Sequence, residues 1–290
     1  MGRSKDAPRP SILITGASDG IGAALAESYA DGDAALWLGG RNEERLCEVA
    51  RRCRARGAEA AYRAVDVRDA AAMERWINDC DGARPLTLVI ANAGIGGGTA
   101  PDRPVERAGA VRAILGTNLD GVVNTVLPAM AAMRRRGSGH IVLMSSLAAY
   151  RGLPHSPSYS AAKAAVKAIG EGIRPALRRE GIAVSVVTPG FVDTALNQGL
   201  ASWRPFLVSV SRAADLIRRG VAKKRPTIAF PWPLVLAVRL SILIPDRLLD
   251  WALARVEVTV PEPDPVGTTG SAGAGVVKPE KEKESTAVRR

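Results

Sequence analysis

Seven short, nearly unbroken hydrophobic runs constrain this chain more than anything else in it. They fall near 11–15 (SILIT), 34–39, 60–65, 86–91 (LTLVIA), 140–144 (HIVLM), 182–188 (IAVSVVT) and 226–230. A strand that alternates apolar and polar residues has one wet face. A strand apolar at almost every position is covered on both faces, as in a parallel sheet layered between helices. Helix-like stretches separate the runs, near 20–30, 42–56, 69–79, 104–135, 158–180 and 212–222. In the first of them Ile21, Leu25 and Tyr29 recur every fourth residue and make one inward stripe. This alternation predicts right-handed crossovers and an α/β fold: a doubly wound, mostly parallel seven-stranded sheet with helices on both faces. Ligands of such sheets settle beyond the carboxyl ends of the strands.

The first run leads into ILITGASDGIG, a strand, a glycine-rich turn and a helix start. Gly16 permits a tight turn, Gly20 lets backbone approach a pyrophosphate, and Gly22 lets the helix lie close to the strand. The helix start then offers unpaired N–H groups and partial positive charge to phosphate. That is the physics of a Rossmann-type dinucleotide site. The second run ends LWLGGRN. A carboxylate there would bind an adenosine ribose hydroxyl and favour NAD. Gly40 is followed instead by Arg41, whose guanidinium suits a 2′-phosphate. The expected cofactor is therefore NADP(H), with NAD(H) as the alternative; Asp19, a negative charge in the turn, weighs against the phosphate.

Composition narrows the classes. The core must be aliphatic, because 47% of the 290 residues are hydrophobic and only 4% aromatic. The net charge of +11 is spread over arginine-rich helical stretches such as RRCRAR (51–56). No nucleic-acid module accompanies it, so nucleic-acid binding is not expected. Cys47, Cys53 and Cys80 have no paired spacing and fit reduced thiols in the cytoplasm. Neither His140, His155 nor the carboxylates show metal-ligand spacing, and no metal is expected. His155 reads as a surface residue whose loop borders the site. The N-terminal letters lack a secretory h-region, and Asp6 stands where a myristoylation motif wants Ser or Thr.

Six motifs, in order, resemble the short-chain dehydrogenase/reductase family over residues 10–230: TGASDGIG (15–22), ANAG (91–94), Asn118 in TNLDG, Ser146 in IVLMSSLAA, YSAAK (159–163) and TPGFVDT (188–194). The resemblance implies a carbonyl–alcohol oxidoreductase. Tyr159 would be the general acid in reduction and the base in the reverse. A free phenol, with pKa about 10, exchanges protons poorly at neutral pH. The Lys163 ammonium, one turn on, and the positive nicotinamide would stabilise the phenolate. Lys163 would also hold the nicotinamide ribose. Ser146 would donate a hydrogen bond to the substrate oxygen, with Ser145 facing the other way. Asn118, in the long helix near 104–135, would position a water that relays protons to Lys163. The resemblance also implies cofactor contacts at Gly16, Ser18, Gly20, Ile21, Gly22 and Arg41. Asp66 and Val67 would meet adenine, Asn92, Ala93 and Gly94 would line the cleft, and Pro189, Gly190, Val192 and Thr194 would cover the nicotinamide. The family more often has a second Asn where this chain has Ala91.

The domain plan is a flexible N-terminus at 1–10, a catalytic domain at 11–230, an apolar helical extension at 231–256 and a disordered tail at 257–290. The apolar run 232–244 is too short to span a bilayer, which takes about 20 residues. Three uses remain open: packing on the domain or a second subunit, peripheral contact of 232–255 with a membrane surface, or a wall for lipophilic substrates. A homo-oligomer is expected from the resemblance. Two alternatives to carbonyl reduction stay open: redox chemistry on sugars or polyols, and a non-catalytic NADP-binding redox sensor or scaffold.

Overall fold

The computed structural model describes residues 9–99, 103–198 and 204–248. Seven strands form one sheet: β1 (Ser11–Thr15), β2 (Ala35–Gly40), β3 (Glu59–Ala64), β4 (Leu88–Ala91), β5 (Gly139–Met144), β6 (Ile182–Pro189) and β7 (Thr227–Phe230). Their order is β3-β2-β1-β4-β5-β6-β7, and every neighbouring pair is parallel. The expected architecture is present, with no antiparallel member among the described strands. The order reverses between β1 and β4, which makes the crevice beyond their carboxyl ends the natural ligand site.

The helices are α1 (Gly20–Tyr29), α2 (Glu43–Ala55), α3 (Ala70–Ala83), α4 (Ala108–Leu115), α5 (Gly121–Arg136), α6 (Pro157–Arg179), α7 (Ala195–Gln198), α8 (Val210–Ala222) and α9 (Trp232–Ser241). They cover both faces because the strands demand it. On β1, Ile12 and Ile14 join Leu25, Leu46 and Ile217 of α1, α2 and α8 in one core. Leu13, between them, faces the opposite core with Met73, Val126 and Val166 of α3, α5 and α6. Several helix starts carry the polar caps their orphan N–H groups need: Asn42, Asp69 and Ser209 each accept from a backbone N–H within the first turn. Several arginines lie in surface ion pairs, including Arg51–Glu48, Arg52–Glu27 and Arg134–Glu180.

One expectation needs correction. The stretch 104–135 is not a single helix. α4 and α5 are separated by a π turn at Gly116–Asp120 that carries Asn118. The wider winding coincides with two packing demands. Asn118 is fully buried and its amide bonds the backbone of Ile95 twice. Gly121, at the exit, leaves room for Val67, whose Cγ2 is 2.5 Å from where a Gly121 Cβ would stand. Of the apolar extension, α9 and the residues to 248 are described; the remainder of 231–256, the tail 257–290 and residues 1–8 lie outside the described residues. Among the described residues no helix is long and apolar enough to cross a membrane.

Candidate active site

The glycine turn is an interlocked unit. Gly16 and Gly20 adopt φ of 65° and 53°, a region that side chains other than glycine rarely enter. A Cβ on Gly22 would overlap the Gly16 carbonyl oxygen and come within 2.6 Å of Asn92 Nδ2. Asn92 fastens β4 to the turn: its Nδ2 donates to the carbonyls of Thr15 (3.0 Å) and Gly16 (3.1 Å), and its N–H donates to Thr15 Oγ1 (3.0 Å). Ala93 adds an N–H to the same hydroxyl at 3.2 Å. Thr194 closes the turn from above, its Cγ2 3.2 Å from where a Gly20 Cβ would be. Asp19 caps α1 through Gly20 N–H (2.6 Å) and pairs with Arg45 at 3.3 Å. Its charge is therefore answered by a cation that sequence reasoning did not single out. Ser18, Asp19, Arg45, Val49 and Arg52 line a cleft of about 500 Å³ beside the turn.

The adenine-side residues lie one strand further on. Arg41 is exposed after β2. Burial would raise the Asp66 carboxyl, but hydrogen bonds from the Arg68 side chain and N–H, with the charges of Arg68 and Arg41, hold it below the usual carboxylate range. Val67 is buried beneath the start of α5, where its carbonyl accepts from Asn124 Nδ2 at 2.9 Å.

The four expected catalytic residues converge at the ends of β4 and β5. Ser146 leaves β5 and caps the short 3₁₀ turn Leu147–Ala149, accepting from Ala148 N–H at 3.1 Å. It neighbours Tyr159, in the first turn of α6. Burial pushes the phenol up, and the neighbouring Ser146 hydroxyl pulls the other way. Lys163 follows one turn later, 4% exposed, with Nζ 3.0 Å from the Met144 carbonyl and 5.7 Å from the Tyr159 ring centre. Burial pulls the ammonium down to about 8. Gly94 lets these groups meet, since a Cβ there would stand 3.1 Å from Asn118 Oδ1 and 3.3 Å from Lys163 Nζ. Ser145 faces away and donates to the Lys163 carbonyl at 2.7 Å.

Two supports of this cluster were not legible in the letters. Ser156, the N-cap of α6, makes no side-chain cap bond. Glu106 supplies that function from the segment before α4: its carboxylate accepts from Ser158 Oγ (2.8 Å) and Ser158 N–H (3.1 Å), next to Tyr159. The other support is α9. Leu234 Cδ2 lies 2.7 Å, and Leu147 Cδ1 3.4 Å, from where a Gly190 Cβ would stand. Arg239 sits over the Tyr150 ring, and Arg151 reaches Asp246 (2.6 Å) and the Ser241 carbonyl (3.4 Å). The extension thus packs beside the loop that carries Ser146. Pro189 and Val192 are buried, and Gly190 bonds the Phe230 carbonyl through its N–H at 2.8 Å.

The histidines have other work. His140 is buried at the foot of β5 and bonds Ser185 at 2.8 Å, with burial pulling its imidazole down to about 4. His155, expected at the surface, is half-buried, with Nδ1 3.3 Å from Thr99 Oγ1. Among the described residues no group of three or more His, Cys, Asp or Glu side chains is placed to hold a metal. Cys53 and Cys80 are buried on α2 and α3, whereas Cys47 is exposed.

A parallel doubly wound sheet with a glycine turn at its switch point defines the class, a Rossmann-type nucleotide-binding protein. The chain belongs to the short-chain dehydrogenase/reductase family: residues 10–205 match the short chain dehydrogenase family. It is 35% identical over 246 residues to an uncharacterized oxidoreductase of Myxococcus xanthus, covering 84% of this chain and 96% of the relative. Among solved structures it resembles a short-chain dehydrogenase/reductase from Burkholderia phymatum in complex with NAD. That match has a TM-score of 0.73 at 25% identity and covers 88% of this chain and 98% of that one. It also resembles an actinorhodin polyketide ketoreductase variant with NADPH, at a TM-score of 0.68 and 26% identity, over 76% of this chain and 94% of that one. The protein is thus an oxidoreductase of a family whose structural neighbours bind either nicotinamide cofactor.

Proposed function

We propose that this protein is an NADP(H)-dependent oxidoreductase that interconverts a carbonyl and an alcohol, with Tyr159 as general acid in reduction and general base in oxidation. One observation carries the reading: Ser146 stands close enough to Tyr159 to act on its phenol, with Lys163 one turn behind. Two hydroxyls that close can grip a single carbonyl oxygen. Ser146 holds it by a hydrogen bond while Tyr159 gives up its proton. The Lys163 ammonium lowers the cost of the phenolate left behind, and its burial strengthens that effect. Asn118 spends one lone pair and one N–H on Ile95, which leaves a second of each for a water that relays protons toward Lys163.

The turn residues fit a dinucleotide. Gly16, Ser18, Gly20, Ile21 and Gly22 would border the pyrophosphate, with the start of α1 turned toward it. Asp66 and Val67 would border the adenine. Asn92, Ala93 and Gly94 would wall the cleft; Pro189, Gly190, Val192 and Thr194 would cover the nicotinamide. The bound nicotinamide supplies or accepts the hydride. Arg41, beyond a strand end that offers Gly40 in place of a carboxylate, supports a 2′-phosphate, and Arg45 adds positive charge beside the turn.

The test is Tyr159→Phe. Carbonyl reduction with NADPH should fall on the order of a thousandfold while NADPH binding, measured by calorimetry, is kept. Undiminished turnover would remove Tyr159 from its role. Wild-type protein that binds NADPH and reduces nothing in a broad carbonyl panel would favour the non-catalytic redox sensor.

A further inference from the structure

Helix α6 carries both Tyr159 and Lys163, and its first two turns are held in different ways. Lys163 is pinned to the end of β5 twice. Its Nζ lies 3.0 Å from the Met144 carbonyl, and its own carbonyl accepts from Ser145 Oγ at 2.7 Å. The turn before it begins with little support of its own. Pro157 has no N–H to offer, and the Ser156 side chain makes no cap bond. Ser158, which is buried, therefore brings the first N–H of the helix, one that no intrahelical carbonyl can accept. That donor lies next to Tyr159. Left without a partner, it would favour unwinding of the turn.

Glu106 answers that donor from 52 residues away. Its Oε2 accepts from Ser158 N–H at 3.1 Å, and its Oε1 accepts from Ser158 Oγ at 2.8 Å. Both carboxylate oxygens engage one residue, so the contact fixes direction as well as distance. The charge also meets the positive end of the α6 dipole, where a carboxylate is favoured. Two other residues between β4 and α4 make comparable ties. Ile95 exchanges two hydrogen bonds with Asn118, and Thr99 donates its N–H to the His155 carbonyl at 2.9 Å, just ahead of α6. Glu106 is the one whose tie falls beside Tyr159.

We infer that Glu106 is a positioning residue for Tyr159: acting through Ser158, it holds the first turn of α6 so that the phenol stays beside Ser146. The inference rests on the carbonyl–alcohol reading above. The part Glu106 plays is geometric, with no proton to transfer. Lys163 keeps its own anchors on β5, so losing Glu106 displaces the acid and leaves the cation behind it in place. Turnover should therefore suffer while cofactor binding does not.

The experiment compares Glu106→Ala, Glu106→Gln and Ser158→Ala in the full chain, with 4-nitrobenzaldehyde and NADPH as the probes. Glu106→Ala should lower kcat about tenfold, the scale of a lost helix cap, with the calorimetric NADPH dissociation constant kept within about twofold. Undiminished NADPH stoichiometry separates a displaced acid from a partly unfolded sample. Glutamine keeps an acceptor for the N–H and a donor for Ser158 Oγ, so Glu106→Gln should recover kcat to within about threefold of wild type. Ser158→Ala removes one of the two bonds and should fall between. Adding Glu106→Ala to it should cost less than Glu106→Ala alone, because the two residues act as one unit. Amide exchange gives a readout apart from turnover. In Glu106→Ala the Ser160 amide, bonded to the Ser156 carbonyl at 3.0 Å, should exchange about tenfold faster, while amides beyond Lys163 keep their wild-type rates. Wild-type kcat in Glu106→Ala, or unchanged exchange at Ser160, overturns the inference. So does a glutamine variant no better than alanine, which would make the charge and not the geometry the cause. If Glu106→Ala fails to fold, wild-type kcat and exchange in Ser158→Ala overturn it, and intermediate values support it. If exchange at Ser160 rises and the wild type reduces neither this aldehyde nor any other carbonyl, the reductase reading fails and the tie to α6 stands.

Discussion

The two sides of the cleft are built differently. On the glycine-turn side, backbone meets backbone: Gly16, Gly22 and Asn92 interlock so closely that one added methyl has nowhere to go. On the α9 side a ten-residue apolar helix rests on the domain without burying any residue. The contrast shows where this fold tolerates change. The first surface is fixed by steric exclusion, whereas the second is left underpacked.

Substitutions on each side can break that contrast. Gly22→Ala should have the largest effect. Its methyl collides with a carbonyl and an amide that are themselves bonded, and we expect about 3 kcal/mol of destabilisation with loss of NADPH binding. Thermal unfolding and calorimetry check both. Arg41→Ala should weaken NADPH about tenfold and leave NADH unchanged, since it removes a charge-assisted contact to a phosphate only NADPH has; the ratio of the two dissociation constants is the readout. Lys163 sharpens the comparison through pH. Burial places its pKa at about 8, so kcat for reduction should fall as pH rises through that value. Between about 8 and the ordinary lysine value, the unfolded chain binds more protons than the folded one. Stability relative to Lys163→Met should therefore rise with pH over the same window in which activity falls. Leu236→Asp, on the exposed face of α9, should be the mildest, shifting stability within about 0.5 kcal/mol in denaturant titration.

The sheet and its turn could be read from the letters because their constraints are local. A strand covered on both faces must be apolar throughout, and a left-handed turn needs glycine where it bends. That Tyr159 and Lys163 neighbour each other followed from helical spacing, since four residues make about one turn; their expected roles came only from the resemblance. The break at 116–120 was not legible, because the apolar pattern runs through it and only a distant partner, Ile95, shows why the winding widens. Glu106 was invisible for the same cause: its partner Ser158 lies 52 residues away. Nor could the letters of 232–241 choose a use, because aliphatic residues suit a core, a bilayer and a groove alike. Arg45 was hidden because its partner, Asp19, lies 26 residues away.

The π turn also limits how this chain can vary in length. Each residue of an ordinary α-helix advances the side chains by about 100°. Trimming one residue from 116–120 to restore regular winding would rotate Asn118 off the Ile95 peptide, or swing all of α5 out of its seat against α3. Insertions and deletions should therefore be absorbed in the loops at either end of α4–α5 and excluded from its middle, where the chain's spare residue is already in use.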